Sequence, residues 1–170
     1  AGNEGTVIKL RGRTIANNIT GPMILDPHRL IFFGEGPHRE WDEFLHRHGN
    51  RGQITYFPHC GQNRKEIAAD LKRLIGQQQE KCVIDITGAD EWMISAAMDV
   101  ADENSSVSLV RSTSNGTLEN IHRFITAPAY TLNTSISADE IFSLYGAREK
   151  VPASCYMEHL ESSTEALWRF

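Results

Sequence analysis

Two short runs carry the side chains best suited to hold an anion. Arg11-Gly12-Arg13-Thr14-Ile15-Ala16-Asn17-Asn18 combines two cations, a glycine for close backbone approach, and hydroxyl and amide donors. Arginine forks match phosphate oxygens, so phosphate contact is the functional reading of this run. Asp85-Ile86-Thr87-Gly88-Ala89-Asp90-Glu91 puts Thr-Gly between a strand and a helix start. There the first N–H groups of the helix lack partners and its dipole favours negative charge, which suits phosphate or ribose. Both runs also have a plain structural use. The first reads equally as a solvated loop with a Thr cap; the second as a β–α turn in which Asp90 and Glu91 cap the helix and oppose its dipole. A third loop, Gly34-Glu35-Gly36-Pro37, reads as a structural turn.

Other reactive side chains do not assemble into a centre. His46 and His48 fall on different helix faces at their i, i+2 spacing, and are poor joint metal ligands. His59-Cys60 would need to converge in space to act as a catalytic pair, which adjacency does not supply. Cys60, Cys82 and Cys155 form no C-x-x-C pair and read as reduced thiols. Walker, G-x-G-x-x-G and G-x-S-x-G motifs are absent, so no catalytic residue, metal ligand or cofactor is assigned.

The chain of 170 residues is one domain's worth, and 40% hydrophobic with 23% charged residues is an ordinary globular balance. Its net charge of −5 argues against a protein built to coat nucleic acid. No run approaches the ~20 apolar residues of a membrane span, and AGNEGT is no signal peptide, so a cytoplasmic location with no membrane partner is expected.

The elements that must position these loops alternate. Strands are expected at Thr6–Leu10, Arg29–Phe33, Gln53–Phe57, Cys82–Ile86 and Val107–Arg111. Between them lie a loop and short helix within Thr14–Leu25, ended by Gly21-Pro22 and the Asp26-Pro27 turn, and helices from about Arg39 to His48, from Asn63 to Gly76, and through Met93, Ala96, Ala97 and Val100. This order predicts an α/β, Rossmann-like three-layer α/β/α domain with a mostly parallel sheet. Asn115-Gly116 predicts an antiparallel C-terminal hairpin, because type I′ turns need positive φ twice. Ser137-Ala-Asp-Glu140 is a capping box for a helix through Tyr145. Thr164 to Phe170 reads as a helix start, so 1–150 is expected to be the domain and 151–170 a linker or the beginning of a downstream effector.

Cys82 to Ala97, CVIDITGADEWMISAA, resembles the strand–TGGTK–helix segment of CRISPR-associated Rossmann-fold (CARF) sensor domains, especially those fused to a restriction-like nuclease domain. The matches are Ile86, Thr87, Gly88, Met93, Ser95, Ala96 and Ala97. Arg13-Thr14-Ile15-Ala16-Asn17 sits where the family has a polar residue and Thr-x-Pro-Asn, and the likeness in order and spacing runs from about Thr6 to Glu149. The resemblance implies a homodimer that binds a cyclic oligoadenylate, tetra-adenylate first, across its twofold axis and controls a downstream effector in CRISPR-linked antiviral defence. Nucleic acid would then be met only through that further domain. The ligand-binding residues it implies are Arg11, Gly12, Arg13, Thr14, Asn17, Thr87, Gly88, Ala89, Asp90 and Glu91.

The sequence departs from the family at the loop itself. Ala89, Asp90 and Glu91 stand where the family has Gly, Thr and Lys. A unit charge at ~4 Å is worth about 1 to 4 kcal/mol, so two carboxylates either retune the site, for instance toward ribose hydroxyls, or abolish it. Two alternatives therefore stand beside the sensor: a dimerisation scaffold that binds no nucleotide, and a ring nuclease using Thr14, Asn17 and Ser112–Ser114 to cleave the ring.

Overall fold

The computed structural model describes residues 3–113, 117–121 and 136–144. The chain runs β1 (Asn3–Leu10), α1 (Ile15–Leu25), β2 (Pro27–Phe33), α2 (Arg39–Arg47), β3 (Gln53–Phe57), α3 (Arg64–Gly76), β4 (Cys82–Asp85), α4 (Glu91–Glu103), β5 (Val107–Ser112), β6 (Leu118–Asn120) and α5 (Ala138–Leu144). The strands form one sheet in the order β3-β2-β1-β4-β5-β6. All neighbours pair in parallel except β5 and β6, which are antiparallel. The mixed α/β sheet expected from the alternating elements is therefore present. The tip of its hairpin, Asn115-Gly116, lies outside the described residues, as do Tyr145, Cys155 and the run from Thr164 to Phe170.

Period-two alternation along the strands makes the two faces. On β1, Ile8 and Leu10 join Ile31, Phe33, Ile84 and Leu109 beneath α3 and α4. Val7 turns the other way, into the layer where Leu30, Phe32 and Val110 meet α1, α2 and α5. Burying both faces requires the near-continuous apolar strands seen in the sequence.

One helix passes the first of its two expected stops and ends at the second, the Asp26-Pro27 turn. α1 continues through Gly21-Pro22 to Leu25, and ends at Asp26 in the left-handed region (φ 43°), whose N–H bonds the Pro22 carbonyl at 3.0 Å. A helical proline removes the bond to the carbonyl four residues back. Here burial of Ala16, Ile19 and Leu25 against the sheet outweighs that loss.

The strand order creates a switch point. From β1 the chain winds through α1, β2, α2 and β3 to one side, and α3 then carries it back to β4 on the other side of β1. The loops after β1 and β4 consequently diverge into helices on opposite faces. In open α/β sheets, ligands bind in the crevice such a divergence opens.

Candidate functional site

Both candidate runs lie at this crevice, and they touch. The Arg13 N–H donates to the Gly88 carbonyl at 3.1 Å. The first loop is pinned from below by Asn18, which is buried: its side-chain oxygen accepts from the Gly12 N–H at 2.9 Å, and its amide donates to the carbonyls of Gly12 (3.1 Å) and Thr14 (2.8 Å). Thr14 is the N-cap of α1. Its hydroxyl accepts from the Asn17 N–H at 3.1 Å, and the Asn17 side chain accepts from the Thr14 N–H at 3.3 Å, a reciprocal box. Asn17 also packs against Gly88, which has φ +68°; any Cβ there would overlap the Asn17 amide.

The second loop turns several of its donors inward. The Thr87 N–H and hydroxyl donate to Asp85 Oδ1 at 2.9 and 2.6 Å, while the same hydroxyl oxygen accepts from the Ser112 N–H at 2.9 Å. Ala89 is buried and its N–H bonds the Ile86 carbonyl at 3.1 Å. Asp90 is the N-cap of α4, accepting from the Met93 N–H at 3.0 Å, so a carboxylate of the chain already sits at that helix start. Glu91 is exposed in the first turn.

The cations stand at the rim. Arg11 and Arg13 are exposed, and Arg11 reaches the Gly34 carbonyl at 3.4 Å. Gly34 opens a structural turn in which Glu35 pairs with His38 at 3.0 Å. Cys60 lines the same corner as Arg11 and Gly34; burial raises its thiol pKa, with the Arg11 charge opposing. No group of three His, Cys, Asp or Glu among the described residues could hold a metal ion. The groove between α3 and α4 is charged, but Arg64 pairs with Asp99 and Lys72 with Glu103.

All ten expected site residues thus lie on two adjoining loops and the first turns of the helices they open, though in different states. Arg11, Arg13 and Glu91 face solvent, Asp90 and Thr14 cap helices, and Thr87 and Ala89 hold the second loop together. Such a rim can attract an anion with two guanidinium groups and receive hydroxyl donors at a carboxylate. Sequence reading missed Asn18, which lay within the quoted run without a role, and the buried pair Lys9 and Asp85. The signal for Lys9 was present: a lysine inside TVIKL, in a strand covered on both faces, must find a partner.

The class defined by this fold and crevice is a Rossmann-like α/β domain, a mostly parallel sheet between two layers of helices. Among solved structures the chain is similar to Can2 from Sulfobacillus thermosulfidooxidans in complex with cyclic tetra-adenylate, with TM-score 0.64 and 15% identity, covering 96% of this chain and 47% of that one. It is also similar to protein VC1899 from Vibrio cholerae, with TM-score 0.64 and 12% identity, covering 92% and 43%. At such identities the likeness establishes a shared fold, and the chain spans about half the length of these structures or less. No family model and no curated protein matches the sequence.

Proposed function

We propose that this chain is a nucleotide second-messenger sensor domain that binds a cyclic oligoadenylate, tetra-adenylate first, across a homodimer interface and controls a downstream effector. The observation that carries this is the joining of the Arg11–Asn17 and Thr87–Glu91 loops at the β1/β4 switch point, on a fold shared with a protein solved with cyclic tetra-adenylate. A twofold ring on a twofold dimer meets each set of donors twice. Arg11 and Arg13 supply positive charge to the phosphates. Gly12 and Gly88 let both loops close on Asn17, and Glu91 selects for ribose hydroxyls over bare phosphate. Thr14, Asn17, Thr87, Ala89 and Asp90 hold the loops in shape, with Thr14 and Asn17 nearest the arginines. Differential affinity for one dimer arrangement would convert binding into a signal.

Asp90 favours one other reading: its carboxylate fills the α4 start, as a scaffold without a nucleotide could tolerate. Fluorescent cyclic tetra-adenylate separates the two. Sensor behaviour is saturable binding by the wild type that Arg13→Glu weakens about tenfold or more and that rises in Glu91→Lys. Absence of binding in wild type and Glu91→Lys alike would establish the scaffold. Linear products after long incubation would instead reveal a ring nuclease.

A further inference from the structure

Directly beneath the two loops lies a buried charge pair, Asp85 at the start of the second run and Lys9 outside both. Lys9 on β1 and Asp85 on β4 are register partners, both with no exposed side-chain surface, and Lys9 Nζ stands 3.9 Å from Asp85 Oδ1. The ammonium is aimed up the sheet. It donates to the Leu10 carbonyl at 2.6 Å, the Thr87 carbonyl at 2.9 Å and the Asp85 carbonyl at 3.5 Å. Asp85 Oδ1 holds the Thr87 amide and hydroxyl, and that hydroxyl receives the Ser112 N–H. The ends of β1, β4 and β5 are therefore tied to one pair of side chains. From Thr87 the connection continues one residue to Gly88, whose carbonyl receives the Arg13 N–H from the other loop.

Stability does not explain this arrangement. The surrounding layer is apolar, with Val7, Leu30 and Phe32 buried in it and Val83 packed against it. Asp85 Oδ2 is buried without a hydrogen-bond partner, and α1 approaches so closely that a Cβ on Gly21 would overlap that carboxylate. Burial drives the Lys9 pKa down, with Asp85 opposing. Taking such a pair out of water commonly costs as much as it returns, and an apolar pair of similar shape is often as stable or more so. What an apolar pair cannot do is fix the direction of five polar groups.

We infer that Lys9 and Asp85 are positioning residues that lock the two ligand loops together, so that ligand affinity depends on the pair while the stability of the fold does not. This rests on the nucleotide assignment above for its ligand, but the loop order it claims can be read without ligand.

The test compares the wild-type chain with Lys9→Met/Asp85→Val, which removes both charges at once, and with Lys9→Met/Asp85→Asn, which restores an acceptor for Thr87. Amide exchange is followed at residues 11–14 and 87–90 against α3, alongside thermal melting and titration with cyclic tetra-adenylate. The apolar double variant should melt near the wild-type temperature, while loop exchange rises and affinity falls about tenfold or more, because binding must then order the loops. The Asn variant should recover protection at Thr87. Unchanged loop exchange in the apolar variant, an even loss of protection over the sheet, or failure of that variant to fold overturns the inference. If the wild type binds no cyclic tetra-adenylate, the nucleotide assignment fails, and the exchange result alone decides the positioning role.

Discussion

Gly88 is the residue on which contact between the loops depends most directly. Its φ of +68° lies in the left-handed region, and the Asn17 amide occupies the space a Cβ would need. Gly88→Ala should therefore destabilise by at least the ~1–2 kcal/mol of a left-handed alanine. Gly36→Ala, with nothing near its Cβ and no positive φ, should stay within about 0.5 kcal/mol. Urea unfolding of the two variants checks the contrast, and equal midpoints would contradict it. At the rim, Asp90 and Glu91 differ in kind. Asp90→Ala loses the α4 cap and should cost about 1 kcal/mol of stability. Glu91→Lys, exposed and on the same turn, should cost at most the ~0.3–1 kcal/mol of a cation at a helix start while strengthening anion binding. A Glu91→Lys variant that loses well over ~1 kcal/mol and binds no better would assign Glu91 a structural role instead.

Among the elements, α5 is held to α2 by ionisable side chains. Glu140 pairs with His48 and stands 3.6 Å from Arg47, and its carboxylate also accepts from Ser137. Burial works to raise the Glu140 pKa, but the hydrogen bonds from His48 and Ser137 prevail and hold it below the usual value of 4.5. A depressed carboxylate stabilises the folded state above the unfolded pKa, and that contribution disappears as pH falls through the folded one. Amide exchange of α5 should thus be flat from pH 7 to 5 once corrected for intrinsic rates, then accelerate below about pH 4. Glu140→Gln should abolish that acid step; an unchanged step in the variant would place its origin elsewhere.

The same elements show where sequence was informative. Helix stripes such as Ile67, Leu71, Leu74 and Ile75 are written in the spacing, and all four are buried. The Thr14, Asn63 and Asp90 caps were equally readable, because each side chain acts on a neighbour three residues away. Pro22 was misleading, since its local penalty is visible in sequence whereas the sheet that outweighs it is not. The site was legible as two runs, but their meeting was not. Contact between Arg13 and Gly88 depends on strand order, and the inward turn of the Thr87 hydroxyl depends on Asp85 and Ser112 arriving from adjacent strands.

At the scale of the whole molecule, the switch point gives one crevice per chain, while the proposed ligand is symmetric and larger than one set of loops. No helix among the described residues is long and apolar enough to cross a membrane. The proposed sensor therefore makes a strict demand on stoichiometry: one ring for two chains, with the dimer as the binding unit. The most direct test is calorimetric titration of the purified chain with cyclic tri-, tetra- and hexa-adenylate, with linear tetra-adenylate as control. Saturable heat with cyclic tetra-adenylate at half a ring per chain, and none with the linear form, is the predicted result. No heat with any ring, or binding of one ring to each chain, would contradict it.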